Sequence, residues 1–170
     1  MDRGYLQVYT GDGKGKTTAA LGLAVRATGA GLSVCLIQFI KSMEYHELRI
    51  LRQLAIGVHQ FGRGCFITGP PGAEDIAAAA RGLHFADETL QQRGADVVIL
   101  DEINVALSLG LLQPHEVLEV LRRRPASVEV ICTGRGASPE LVEAADLVTE
   151  MVDRKHYYTA GVMARDGIER

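Results

Sequence analysis

The stretch YLQVYTGDGKGKTTAALGLA, residues 5–24, constrains this chain more than any other. An apolar run enters a glycine-rich turn and leaves it as a helical pattern, which is the context a phosphate-binding loop requires. Gly11, Gly13 and Gly15 let the backbone turn its N–H groups towards one centre. The helix beginning near Lys16 points its positive end there, and Lys16 adds a full charge. A triphosphate fits such a cradle. The usual pattern has a glycine five residues before Gly15, whereas here that residue is Thr10 and Gly11 follows one position late. The expected phosphate contacts are Thr10, Gly11, Asp12, Gly13, Lys14, Gly15, Lys16, Thr17 and Thr18, with the Thr17 hydroxyl also on magnesium.

The rest of the chain supplies the fold that such a loop needs. Short apolar runs at Tyr5–Tyr9, Ser33–Phe39, Val58–Phe61, Val97–Leu100, Val128–Cys132 and Leu147–Met151 alternate with helical patterns. Several are apolar throughout, as strands covered on both faces are. The expectation is an α/β fold: a mostly parallel sheet of about six strands with helices on both faces, in one domain over residues 1–170. Helices are expected over Lys16–Thr28, His46–Leu54 and Glu74–Arg93, and from Pro114 and Ser138-Pro139, where a cap or an N-terminal proline marks the start. The glycine- and proline-rich Gly62–Gly72, with Phe66 in its middle, reads as a mobile loop.

Val97-Val98-Ile99-Leu100-Asp101-Glu102 is an apolar strand ending in two acids, which aims carboxylates at a metal beside the phosphate loop. Thr17, Glu102 and Asp101 are therefore the expected metal ligands. Thr133-Gly134-Arg135-Gly136 puts a cation on a flexible turn at the carboxyl end of a later strand, the edge where open parallel sheets bind ligands. Arg135 is a candidate phosphate clamp; a solvated loop arginine would look the same.

Charge and cysteine usage narrow the setting. With 18 Lys+Arg against 21 Asp+Glu, nothing draws the chain globally to nucleic acid or an anionic membrane. Cys35, Cys65 and Cys132 form no C-x-x-C pair, and a reduced cytosol suits them. No apolar stretch approaches a membrane span, and the amino terminus lacks the features of a signal peptide, so a cytoplasmic location is expected.

TGDGKGKTTAALGLA, QFIK at Gln38–Lys41, LDEIN at Leu100–Asn104, TGRGA at Thr133–Ala137 and KHYYTAGVMARDGIE at Lys155–Glu169 occur in that order along nearly the whole chain. Together they resemble the P-loop ATP:corrinoid adenosyltransferases. The resemblance implies a RecA-like domain that transfers the 5′-deoxyadenosyl group of ATP to the cobalt of a reduced corrinoid, of the cob(I)alamin or cobyrinic acid a,c-diamide type, releasing triphosphate. It implies Mg2+ on Thr17 and Glu102, catalytic roles for Lys16, Glu102 and Arg135, a homodimer and a flavoprotein reductant. Relatives place a tryptophan near the corrin; this chain has none, and Phe66 or Ile67 stands in its place. Phe61 and Phe66 are the candidate corrin cover, although both residues also suit a core.

The rival is a P-loop ATPase or kinase of another class, with Glu102 activating water or a hydroxyl and ADP as product. A nucleic-acid module lacks a basic stripe with interleaved aromatics. If Glu102 is the direct ligand, Glu102→Gln should weaken magnesium-dependent turnover more than Asp101→Asn.

Overall fold

The computed structural model describes residues 2–64, 67 and 69–169. Six strands, β1 (Leu6–Thr10), β2 (Val34–Lys41), β3 (Gly57–Gly64), β4 (Val97–Asp101), β5 (Glu129–Thr133) and β6 (Leu147–Glu150), form one sheet in the order β3-β2-β4-β5-β1-β6. Every pairing is parallel. The helices are α1 (Lys16–Gly29), α2 (His46–Gln53), α3 (Ala73–Gln91), α4 (Ile103–Ser108), α5 (Pro114–Arg122) and α6 (Pro139–Ala144).

Both faces of the sheet are covered. Ala20, Ala24 and Ala27 of α1 and Leu48 and Leu51 of α2 pack on Leu36, Ile99 and Ile131. On the opposite face Ala79, Leu83, Ala86 and Leu90 of α3, together with α4, α5 and α6, bury Ile37, Phe39, Val98 and Leu100. Central β4 is buried from end to end, which is why its sequence is apolar without alternation. Helix starts follow local chemistry: Pro114 opens α5 behind Gln113, whose N–H donates to Glu116, and the Ser138 hydroxyl accepts from Leu141 N–H at the start of α6. Cys35 and Cys132 are buried and free, and burial pushes their thiols up to about 11 and about 12. Among the described residues no helix is long and apolar enough to cross a membrane.

Two local departures from the sequence reading matter for the site. Strand β3 runs through Gly62 to Gly64, so the amino-terminal part of the expected Gly62–Gly72 loop is sheet. Strand β2 extends past Phe39 to Lys41 through Ile40, which sits at φ 69°, a conformation that a β-branched residue rarely adopts. The register with β3 shifts there: Ile40 pairs with Gly62, but Lys41 pairs with Gly64. A Cβ on Gly62 would come within 1.9 Å of the Ile40 carbonyl oxygen, so the kinked strand needs glycine opposite it. Gly62→Ala is accordingly expected to cost roughly 1–3 kcal/mol, read as a lower thermal unfolding midpoint.

Candidate active site

The fold collects its buried polar side chains at one edge. Among the described residues the buried polar or charged positions are Gln38, Asp101, Asn104 and Thr133, at or just beyond the carboxyl ends of β2, β4 and β5. A group removed from water needs a partner, and Gln38, Asp101 and Thr133 make one network. Asp101 Oδ1 accepts from Thr17 Oγ1 at 2.8 Å and Thr133 Oγ1 at 2.7 Å. Its Oδ2 accepts from Gln38 Nε2 at 3.0 Å and Lys41 Nζ at 2.8 Å. Burial would raise the Asp101 carboxyl, but the Lys41 ammonium and the hydroxyl donors outweigh it and hold the group below the ordinary carboxylate range.

Glu102 follows directly, at φ 63° ahead of α4. This left-handed turn, held by a hydrogen bond from Glu102 N–H to Thr133 Oγ1 at 3.1 Å, reverses the chain so that consecutive acids serve one site. Its carboxylate lies 3.5 Å from Lys41 Nζ, and burial, together with the neighbouring Asp101, raises its pKa against the pull of Lys41. Asn104 donates to the Tyr9 and Gly134 carbonyls and so ties the Gly134–Gly136 turn to the end of β1.

The glycine-rich turn between β1 and α1 is where the sequence placed it. Lys16 Nζ lies inside the loop, donating to the Gly11 and Gly13 carbonyls, each at 2.7 Å. Burial lowers its pKa, as does the nearby Arg135 cation. Gly15 takes φ 123° and Gly11 φ 92°. The glycines have a second reason: a Cβ on Gly11 or Gly13 would come within 2.4 or 2.7 Å of the Met151 carbonyl oxygen. Gly13 N–H donates to that carbonyl at 2.7 Å, so it does not join the loop amides facing one centre as the sequence suggested.

Thr17 and Asp101 are in direct contact, with Glu102 alongside. Thr18 is exposed in the first turn of α1, and the Thr10 hydroxyl accepts from Ala137 N–H, joining the loop to the Arg135 turn. Arg135 Nε comes to 4.0 Å of Asp12, both side chains open to solvent at the mouth of the loop.

Lys14 departs from expectation, because its ammonium turns away from the loop to Tyr157 OH, the Ile168 carbonyl and Glu169. Glu169 also receives Tyr157 OH and Arg165, so the segment 157–169 is fastened across the outside of the phosphate loop. Glu169→Gln should therefore accelerate hydrogen exchange over residues 157–169 while leaving β1 protected.

Phe61 packs from the sheet: its ring meets Phe85 at 5.6 Å and lies over Gly82 of α3, against the main core. One edge still lines a small cavity with Ile40, Ile67 and Leu111. Phe66 lies outside the described residues. Sequence reasoning missed Gln38, Lys41 and Thr133 as partners of Asp101. The available signal for Gln38 and Lys41 was polar residues interrupting or ending an apolar strand.

Comparison with known proteins decides the family. The family model described as ATP:corrinoid adenosyltransferase BtuR/CobO/CobP matches residues 2–170. The chain belongs to this family. It is 39% identical over 171 residues to a corrinoid adenosyltransferase of Pseudomonas aeruginosa, covering 99% of this chain and 84% of that one. It is 37% identical over 169 residues to a corrinoid adenosyltransferase of Escherichia coli K12, covering 99% and 86%. The corrinoid adenosyltransferase CobA of Salmonella typhimurium is 36% identical over 169 residues, with the same coverage. Among solved structures the flagellar accessory protein FlaH of Methanocaldococcus jannaschii superposes with a TM-score of 0.62 at 15% identity, over 88% of this chain and 72% of that one. That last likeness is one of fold. The expected α/β sheet is the one observed.

Proposed function

We propose that this family member transfers the 5′-deoxyadenosyl group of ATP to the cobalt of a reduced corrinoid and releases triphosphate. Membership of the adenosyltransferase family carries the reading, and the site chemistry agrees with it. The reduced cobalt supplies the electron pair of the new Co–C bond, the C5′–O bond breaks, and triphosphate leaves with the bonding pair. A nucleophile that strong needs no general base; the protein must align, neutralise and exclude.

Lys16 and the remaining loop amides hold the triphosphate, and Arg135 closes on it from the β5 turn. The donor set fits magnesium: the Thr17 hydroxyl and the Glu102 carboxylate are hard oxygens on one side of the loop, with the nucleotide supplying the remaining ligands. Bound there, Mg2+ would add Lewis-acid charge to the leaving triphosphate. Asp101 is already saturated by four donors. It therefore acts by orienting Thr17, and Glu102 is the freer carboxylate.

Two further elements belong to the proposal. Unpaired, buried thiols at Cys35 and Cys132 suit a reduced cytoplasm, where a flavoprotein supplies the electron for the corrinoid. All four residues of edge strand β6 are exposed, Leu147 at 44% and Val148 at 41%, which supports a homodimer using that side.

The deciding experiment incubates the protein with ATP, magnesium and chemically reduced cobalamin. The expected result is the spectrum of an alkylated corrinoid with triphosphate as the phosphate product. ADP with no change in the corrinoid would replace this reading by that of an ATPase or kinase.

A further inference from the structure

Among the described ions of the site, Lys41 lies outside the phosphate loop and pairs with both acids. Its side chain is 15% exposed, its ammonium lies 2.8 Å from Asp101 and 3.5 Å from Glu102, and nothing in the loop requires it. Its position is also constructed at some cost. In a regular strand residues three apart point to opposite faces, so Gln38 and Lys41 should not reach the same carboxylate oxygen. Both do. The register shift after Ile40, with that residue at φ 69° and Gly62 cleared to make room, is what brings Lys41 round to Asp101. A strained bulge at a site that could have used a plain strand points to a role for the side chain it delivers.

We propose that Lys41 is the resident counter-cation of Asp101 and Glu102, and that it makes entry of the divalent metal conditional on the nucleotide. The inference rests on the metal role of these acids proposed above. Lys41 and Lys16 balance the two carboxylates, and Lys16 lies near enough to Glu102 to act on its charge. A divalent ion arriving alone meets a neutral, largely buried set whose acids already hold an ammonium, and it gains too little to offset its lost hydration. With ATP, the triphosphate brings the missing negative charge and the missing oxygen ligands. The ammonium can then be shared with the phosphates while the metal takes its place beside Glu102. Metal and nucleotide thus load together.

Mn2+ alone is the probe. Its binding is followed by the loss of the free-ion electron paramagnetic resonance signal and, with ATP present, by water-proton relaxation enhancement, which separates protein-bound Mn–ATP from the free complex. The wild-type chain should hold Mn2+ with ATP and not without it. Lys41→Met should bind Mn2+ without nucleotide at least roughly 10-fold more tightly than wild type, with a Mn2+-dependent rise in thermal midpoint that wild type lacks. Lys41→Gln keeps a hydrogen-bond donor for Asp101 but removes the charge, and should behave like Lys41→Met if the first variant folds poorly. Lys41→Arg should restore the wild-type exclusion.

Equal Mn2+ affinity without nucleotide in wild type, Lys41→Met and Lys41→Gln overturns the proposal while the metal site stands, provided wild type still binds Mn–ATP. Failure of both neutral variants to fold with or without Mn2+ makes Lys41 a structural residue and overturns it too. If wild type binds no Mn–ATP, the metal reading of Asp101 and Glu102 falls, and this inference with it.

Discussion

Lys16→Ala is expected to lower adenosyl transfer by about 1,000-fold or more and to leave the fold standing. The Lys16 ammonium is the cation enclosed by the phosphate loop, where it donates to the Gly11 and Gly13 carbonyls. Those two carbonyls belong to the loop's own backbone, so the lysine is held where charge on the triphosphate develops. Removing the side chain deletes that stabilisation. It does not touch the apolar contacts of Ala20, Ala24 and Ala27 that seat α1 on the sheet. The stability cost is then that of two hydrogen bonds in a partly exposed loop, roughly 1–3 kcal/mol. Turnover with reduced cobalamin, set beside a thermal melt, separates the two effects. Near-normal turnover by a folded Lys16→Ala variant would remove the phosphate-loop assignment.

Lys14 is the informative contrast, because the sequence reading placed both lysines of GDGKGKTT on the phosphates. Their separation depends on Tyr157 and Glu169, which are more than 140 residues away and which no local pattern connects to the loop. The same holds for Gly11 and Gly13. That they are glycines was legible, and one reason for it was too, but the close approach of the Met151 backbone follows only from β6 pairing beside β1. The strands read well wherever burial on both faces makes them continuously apolar, as in β4 and most of β2. The reading stopped short at Phe39 and misplaced Gly62–Gly64 because the β2–β3 bulge is a pairing between two segments, and glycines that serve a bulge look like glycines of a loop. Asp101 and Glu102 announced themselves by ending an apolar run. Thr133 did not, since a threonine at a strand end is ordinary β composition, and its hydroxyl bond to Asp101 joins two strands that only the sheet order brings side by side.

That network adds an effect on stability to the order of turnover expected from sequence for the two acids. Asp101→Asn should be the more damaging change to the protein, and Glu102→Gln the cleaner change to the chemistry. All four partners of Asp101 donate: Thr17, Thr133, Gln38 and Lys41. An asparagine can keep its amide oxygen on Gln38 and Lys41 only by turning its N–H2 towards the Thr17 and Thr133 hydroxyls, which must then reverse their bonds and accept, and the Lys41 ammonium is left with the more distant Glu102 as its counter-charge. The expected loss is about 2–4 kcal/mol in unfolding free energy, accompanied by lower turnover because Thr17 is no longer oriented. Glu102 is only partly buried, with a side chain 25% exposed, and its described polar partner is Lys41 at 3.5 Å. Glu102→Gln keeps the shape and should change stability by less than about 1 kcal/mol, while lowering magnesium-dependent turnover by about 100-fold. Acid titration supplies a second reading. The Asp101 carboxyl titrates below its unfolded value, so its contribution to stability is complete above the range where an unfolded aspartate ionises and is lost as pH falls through the lower, folded value. Asp101→Asn should flatten that limb of the stability curve as well as lowering its plateau. Unfolding midpoints for Asp101→Asn that match wild type across the acid range would mean that the four donors do not converge on this carboxylate, and the route from Asp101 through Thr17 to the phosphates would have to be abandoned.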